Sequence, residues 1–392
     1  MSSLFRPCIE RMSGYVPGAQ PRERPYIKLN ANENPYPPSP KVLAALRAAV
    51  GETLRLYPDS MATELREKIA ERHGLSPREV LVGNGSDDLL TMIIRCFVGE
   101  RQVVAAPHPT YPLYDVLVAM QNGRMRWVDF PEDFSLPAGL AEGGAGVPPA
   151  RRKGQARCLP HGPEGGAGVP PARGKGQARC LPHGPAARVT FLANPNSPSG
   201  TWIEPEAIAE LAGRLKGVLV VDEAYVDFAE GDCLGLLGRF PNVIVLRSFS
   251  KSFSLAGVRL GYALASETIL SGLVKVKDSY NVNRFALAAG VAALDDIEYM
   301  RANVAKIRAE RARVSESLRK LGFSVYPSQA NFVAARRATP AAQAMRDALQ
   351  ERGILIRSFG DPKLRDWIRI SIGTVEQNGL VLAGIAEVLG RK

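Results

Sequence analysis

The chain has 392 residues, of which 45% are hydrophobic and 23% charged, and a chain of this length can bury a large core in two domains. It contains no run of about 18 apolar residues and no apolar N-terminal stretch, which excludes a membrane span or secretory signal and favours a cytoplasmic protein. The net charge of +11 is partly local, since residues 142–185 carry seven basic and two acidic residues, so the charge does not require a nucleic-acid partner.

Residues 1–45 are rich in proline and lack a core pattern, so they are predicted to pack against a small C-terminal domain. From residue 46 to 282, apolar runs that are nearly continuous in Val, Leu and Ile alternate with helical patterns, which predicts a large α/β domain with a mainly parallel sheet covered on both faces. The predicted strands are Glu79–Val82, Gln102–Ala105, Val189–Ala193, Val218–Val221, Val243–Leu246 and Leu260–Ala265. The predicted helices include Thr63–His73, Ser86–Phe97 and Pro205–Leu215.

A tandem repeat interrupts this domain. Residues 142–163 and 164–185 are two copies of a segment rich in Gly, Pro, Ala and Arg, and the copies differ only at Arg152 and Gly174. Because the repeat has no helical or strand periodicity, it is predicted to be a disordered, dispensable insertion. Each copy also holds one Cys and one His, which together would suit a zinc ion. Duplication produces that set automatically, so no metal is expected, and the five scattered cysteines are predicted to be reduced thiols.

Residues 283–392 are predicted to form a smaller α+β domain. A long helical region, about Phe285 to Leu321, opens it, and a helix at Ala341–Arg352 and a final helix from Val375 follow. The predicted strands are Phe323–Tyr326, Asn331–Ala335, Ile354–Arg357 and Ile368–Ile372.

Polar groups follow four predicted strands of the large domain. They are Gly83–Asp87, Asn194–Gly200, Asp222–Tyr225 and Arg247–Lys251. Ligands of open α/β sheets bind outside the carboxyl ends of the strands. The order of these groups therefore predicts a ligand site at one edge of the sheet.

Three of these groups indicate specific chemistry. The glycines and Ser86 at a helix start can bind an anion, although an ordinary N-cap has the same pattern. Asp222 ends an apolar strand, where it either caps a turn or pairs with a cation such as a protonated pyridine. Lys251, among serines and near Arg259, can lose its proton and attack an aldehyde, while Arg259 holds a phosphate.

The stretches DEAY (Asp222–Tyr225) and SFSKSFSLAGVRLG (Ser248–Gly261) resemble those of the fold type I aminotransferases that use pyridoxal 5'-phosphate (PLP). Within that group the chain is similar to the histidinol-phosphate aminotransferases. The matching stretches are Leu29–Pro35, Tyr57–Asp59, Asn84–Asp87, Pro109–Tyr111, Val221–Phe228 and Arg369–Thr374. The resemblance covers nearly the whole chain outside the repeat.

The resemblance implies amino-group transfer between L-histidinol phosphate with 2-oxoglutarate and imidazole acetol phosphate with glutamate, in histidine biosynthesis. Lys251 would bond covalently to PLP and later move a proton, Asp222 would pair with the pyridine nitrogen, and Tyr225 would bond the ring hydroxyl. Arg369 would bind a substrate carboxylate and Arg357 the phosphate of histidinol phosphate.

The remaining implied contacts are with the cofactor. Tyr111 would stack on its ring, and Tyr57 would reach its phosphate from the second subunit of a homodimer. The other residues implied for the phosphate are Gly85, Ser86, Asp87, Ser248, Ser250 and Arg259.

One motif departs from the family at a predicted cofactor contact. The usual Pro-Asn-Asn-Pro-Thr-Gly is here Pro195-Asn196-Ser197-Pro198-Ser199-Gly200, and the second Asn of the usual run bonds the ring hydroxyl. Either Ser197 replaces it or Asn196 takes the role after a small backbone shift, and the sequence leaves both open.

Other functions use the same cofactor motifs. An aromatic or broad-specificity aminotransferase and a phosphothreonine decarboxylase share the fold. A non-enzyme alternative is a PLP-binding regulatory module, but no helix-turn-helix or additional basic domain precedes the PLP region.

Overall fold

The computed structural model describes residues 4–15, 21, 23–141 and 185–390. Its helices are α1 (Pro7–Arg11), α2 (Pro40–Ala48), α3 (Thr63–His73), α4 (Ser86–Phe97), α5 (Leu113–Met120), α6 (Pro205–Arg214), α7 (Glu267–Val276), α8 (Arg284–Leu294), α9 (Ile297–Lys320), α10 (Ala342–Glu351) and α11 (Val375–Val388). Its strands are β1 (Ile27–Lys28), β2 (Val80–Gly83), β3 (Val103–His108), β4 (Arg124–Asp129), β5 (Val189–Ala193), β6 (Val218–Asp222), β7 (Val243–Ser248), β8 (Gly261–Ala265), β9 (Ser324–Val325), β10 (Phe332–Arg336), β11 (Ile354–Leu355), β12 (Arg357–Ser358) and β13 (Trp367–Ser371).

The main sheet has seven strands in the order β2-β8-β7-β6-β5-β3-β4. Strand β8 is antiparallel to both neighbours, and the other pairs are parallel. Register places Asp222 of β6 between Ala193 of β5 and Leu246 of β7. The carboxyl ends of these strands therefore share one edge, and the predicted α/β class with a mainly parallel sheet is confirmed.

Both faces of the main sheet are buried. In β6, Leu219 and Val221 pack into one hydrophobic cluster and Val218 and Val220 into another on the opposite face. Successive side chains of a strand point to opposite faces. A central strand covered by helices on both sides is therefore apolar at every position, which is why these strands were recognisable as continuous runs.

A second sheet of four antiparallel strands has the order β12-β13-β10-β9. Strand β1 lies outside it and pairs in parallel with β11, with Ile27 beside Ile354 and Lys28 beside Leu355. The N-terminal segment is thus hydrogen-bonded to a strand of the C-terminal region. The division into domains at residues 45 and 282 stays a prediction.

The structure corrects three features of the sequence analysis. The predicted strand Ile354–Arg357 is two short strands in different sheets, β11 and β12. Strand β4 was not predicted, because it lies at the sheet edge and only Trp127 of its RMRWVD sequence is buried. The N-terminal segment was expected to lack a core pattern of its own, but it contains α2, whose Val42 is buried. Long-range strand pairing decides the first two, whereas the start of α2 has a local cap at Ser39.

The repeat lies outside the described residues except for Pro185. The predictions of disorder, of dispensability and of no metal at its Cys and His residues stay predictions. Within the described ranges, no group of three or more His, Cys, Asp or Glu side chains could hold a metal ion. No helix in that part of the chain is long and apolar enough to cross a membrane.

Candidate active site

The carboxylate of Asp222 is buried at the carboxyl end of β6. Its Oδ2 accepts a 2.7 Å hydrogen bond from the hydroxyl of Tyr114, and its Oδ1 accepts one from the backbone N–H of Ala224 at 3.2 Å. Burial raises the pKa of Asp222 to about 6, although both hydrogen bonds and the positive charge of Lys251 oppose the rise. A cation beside this carboxylate would recover part of the cost of burying it.

Tyr114 is a site residue that the sequence analysis missed. It lies in α5, is fully buried and stacks on Phe191 of β5, with the ring centroids 4.4 Å apart. Burial and the nearby Asp222 raise the pKa of Tyr114, so its hydroxyl stays protonated and donates to the carboxylate. The available signal was the position of Tyr114 three residues after Tyr111, at the start of α5.

Lys251 and Tyr225 come together from different loops. The ammonium nitrogen of Lys251 lies 5.7 Å from the ring centroid of Tyr225. The amide of Asn34 donates to the backbone oxygens of Lys251 at 2.9 Å and of Ser252 at 3.1 Å, which fixes the loop that carries the lysine. Asn34 belongs to the stretch Leu29–Pro35, which supports the family resemblance. The sequence analysis assigned no role to Asn34.

An anion-binding group is built around the start of α4. Arg259 forms an ion pair with Asp87, with Nη2 and Oδ2 3.0 Å apart, and its Nη1 lies 3.4 Å from the hydroxyl of Ser250. A Cβ at residue 85 would lie 2.7 Å from Nη2 of Arg259, and φ at Gly85 is +84°. Only glycine allows the guanidinium to approach the helix start this closely.

The other residues predicted for the phosphate surround this group. Ser248 is buried, and its hydroxyl accepts from the backbone N–H of Ser250 at 3.1 Å. A Cβ at residue 261 would lie 2.7 Å from the backbone nitrogen of Ser86, so Gly261 lets β8 pass next to the helix start. Tyr111 donates to Asp87 at 3.2 Å and meets Tyr114 edge-on, which places its ring over the same region.

The contacts of Asn196 and Ser197 differ. Both amide protons of Asn196 are used, one by the backbone oxygen of Pro109 and one by the hydroxyl of Ser199, and its oxygen accepts from Thr110. Ser197 is half-buried, and its hydroxyl accepts from Nη1 of Arg369 at 3.1 Å. These contacts favour Ser197 over Asn196 as the side chain that can reach a ligand.

The two arginines predicted to bind substrate lie side by side. Arg357 of β12 is directly opposite Arg369 of β13 in the antiparallel register. Arg369 also donates to the backbone oxygen of Asn30 at 3.1 Å, and its Nε is buried without a hydrogen-bond partner among the described residues. Like charges on opposite strand positions repel each other. This arrangement therefore favours binding of anionic groups between or beside the two side chains.

The structure does not bring Tyr57 to the other predicted residues. Its side chain is 78% exposed and stacks on Tyr280, with the ring centroids 4.4 Å apart. An exposed pair of stacked tyrosines beside exposed Leu54 and Leu56 is an apolar surface of the kind found at subunit contacts.

The chain is similar to known proteins over nearly its whole length. Residues 24–385 match the model of the family described as aminotransferase class I and II. A histidinol-phosphate aminotransferase of Syntrophotalea carbinolica is 43% identical over 98% of this chain and 99% of its own, and one of Nostoc sp. is 40% identical over 99% of each chain. The solved histidinol-phosphate aminotransferase of Sinorhizobium meliloti in complex with PLP matches with a TM-score of 0.81 and 29% identity, over 100% of this chain and 98% of that one.

Proposed function

The chain belongs to the aminotransferase class I and II family, and from this premise we propose that it transfers an amino group between L-histidinol phosphate and 2-oxoglutarate with PLP as cofactor. The products are imidazole acetol phosphate and glutamate, so the reaction belongs to histidine biosynthesis. One observation carries the proposal, namely that three groups share one edge of the sheet. They are the buried carboxylate of Asp222, Lys251 beside Tyr225, and the Arg259–Asp87 ion pair.

The described residues fit the chemical groups of PLP. The buried carboxylate of Asp222 suits a protonated pyridine nitrogen, because burial raises its pKa and a neighbouring cation would stabilise its charged form. Arg259 and the helix start beside Gly85 suit a phosphate. Lys251 supplies an amine for an aldehyde. When bound, PLP supplies the electron sink for bond breaking at the substrate's Cα.

The chain's own residues supply positioning and proton movement. The negative charge of Asp222 would keep the pyridine nitrogen of PLP protonated, and Tyr114 holds the carboxylate in place by its hydrogen bond. Tyr111 would cover one face of the PLP ring. The amine of Lys251, with its loop held by Asn34, accepts the proton that leaves the substrate's Cα.

The two arginines support anionic substrates. Arg369, half-buried and held by Ser197 and the backbone of Asn30, is positioned to bind a carboxylate through two parallel hydrogen bonds. Arg357 adds a second positive charge beside it, and histidinol phosphate brings the additional phosphate that this charge suits. The names of the curated relatives support the same substrate.

The substrate is tested by comparing turnover of histidinol phosphate, phenylalanine and aspartate with 2-oxoglutarate as acceptor. We expect histidinol phosphate to give the highest kcat/KM. Arg357→Gln should raise KM for histidinol phosphate by about 10–100-fold, the loss expected for a hydrogen bond to a charged group. It should change KM for phenylalanine much less.

Arg365→Gln is the matched control, because Arg365 lies between the same two strands but is 75% exposed. It should leave both KM values unchanged. An equal loss for phenylalanine and histidinol phosphate in Arg357→Gln would show that Arg357 does not recognise the phosphate. A preference for phenylalanine by the unaltered enzyme would favour the aromatic aminotransferase alternative.

We further propose that the active unit is a homodimer, in which Tyr57 completes the phosphate site of the partner. Its high exposure and its stacking on Tyr280 support a role at a subunit contact. Sedimentation should show a dimer, and Tyr57→Ala should weaken PLP binding without unfolding the chain. A fully active monomer would contradict the proposal.

A further inference from the structure

Asn32 lies in the N-terminal segment and contacts both sheets. Its side chain is 2% exposed, and its φ of +55° is a left-handed conformation that asparagine tolerates better than most residues. Its backbone oxygen accepts from the amide of Asn331 at 3.0 Å, next to β10. Its amide nitrogen donates to the hydroxyl of Tyr225 at 3.0 Å. No role for Asn32 followed from the sequence.

Ser371 determines which way the amide of Asn32 faces. The hydroxyl oxygen of Ser371 accepts from the backbone N–H of Asn32 at 2.8 Å. Its single proton is therefore free to be donated, and the oxygen of the Asn32 amide accepts it at 3.1 Å. With the amide oxygen turned to Ser371, the NH₂ group must face Tyr225.

This orientation determines the hydrogen-bonding role of Tyr225. A phenol hydroxyl can accept and can donate one proton. Because Asn32 donates to its oxygen, the proton of Tyr225 points away from Asn32, and the described residues include no acceptor for it. Phe332 meets the ring edge-on at 5.2 Å between centroids, which restricts the direction of the side chain.

We propose that Asn32 is a positioning residue that holds Tyr225 as a hydrogen-bond donor to the ring oxygen of the bound cofactor. The inference rests on the proposed function, since it assigns Tyr225 to that oxygen. Lys251 and Arg369 are charged groups near Tyr225, and the hydroxyls of Tyr111 and Tyr114 are titratable groups near it. A donated hydrogen bond stabilises the oxygen as an anion, so Asn32 acts on the protonation of the cofactor without touching it.

The test is the pH titration of the cofactor's visible absorbance in the holoenzyme. Tyr225→Phe should raise the apparent pKa of the bound chromophore by about 1–2, as expected when a hydrogen bond to a charged oxygen is lost. Asn32→Gly, which keeps the left-handed backbone but removes the amide, should raise it by at least half as much. In the Tyr225→Phe background, Asn32→Gly should cause no additional change.

Asn331→Ala is the structural control, because it removes the donor to the backbone oxygen of Asn32 and leaves the amide in place. It should lower the melting temperature and leave the titration unchanged. Equal changes of the chromophore pKa in Asn331→Ala and Asn32→Gly, or an additive change in the double variant, would overturn the inference. If the unaltered protein binds no PLP, the proposed function fails; if it titrates and only Tyr225→Phe responds, the inference alone fails.

Discussion

Lys251→Ala is expected to lower transamination by at least about 10⁴-fold, because the variant loses both a nucleophile and a general base at one position. Among the described lysines, Lys251 is the one that lies over the ring of Tyr225, so we expect no second amine to replace it. The variant should still bind PLP through the phosphate site and Asp222, but the cofactor should be removable by dialysis.

The covalent link is measured by borohydride reduction and peptide mass mapping. The unaltered protein should carry the added mass on the peptide that contains Lys251, and the variant should carry none. Lys275→Ala, at an exposed position of α7, is the control and should behave like the unaltered protein. Full turnover by Lys251→Ala would show that the assignment of the catalytic lysine is wrong.

Asp222→Asn is expected to have opposite effects on activity and on the stability of the apoprotein. Without the carboxylate, the pyridine nitrogen loses its anionic partner, and kcat should fall by about 10²–10³-fold, as when one electrostatic group is removed from an enzyme site. Affinity for PLP should fall as well. Asparagine has nearly the same shape, so the loss reports charge rather than packing.

The stability effect follows from the pKa of Asp222. Burial raises this pKa to about 6, above the value of 3.8 for an unperturbed carboxyl. The folded apoprotein therefore binds this proton more tightly than the unfolded chain, and the stability gained at low pH is lost as the pH rises from about 4 to about 6. Above that range the ionised carboxylate costs on the order of 3 kcal/mol, since each tenfold change in proton affinity corresponds to about 1.4 kcal/mol.

Urea unfolding of the two apoproteins between pH 4 and 8 checks this expectation. Asp222→Asn should remove this loss of stability between pH 4 and 6, and at pH 8 it should be at least as stable as the unaltered apoprotein. Tyr114→Phe is the companion variant, because it removes a hydrogen bond that lowers the pKa of the carboxylate, so the loss of stability should continue to higher pH and become larger in total. If Asp222→Asn is much less stable at pH 8 than the unaltered apoprotein, the charge of Asp222 supports the fold.

The residue pattern alone predicted the class of the fold and the chemical groups of the site. Strands β5, β6 and β7 were recognisable because a strand covered on both faces is apolar throughout. The polar groups after them, including Asp222 and Lys251, were recognisable because they end such strands. Family resemblance added the cofactor and substrate, and the comparisons confirm the family.

Contacts between distant parts of the chain were decided only by the tertiary structure. Asn32 reaches Tyr225 across 193 positions and Ser371 across 339, while Tyr114 reaches Asp222 across 108. The register that sets Arg357 against Arg369 depends on which strands pair. A sequence pattern records burial and local hydrogen bonding, because these depend on near neighbours. Which donor meets which acceptor depends on the packing of whole elements, and that packing places Asn32 and Tyr114 in the site.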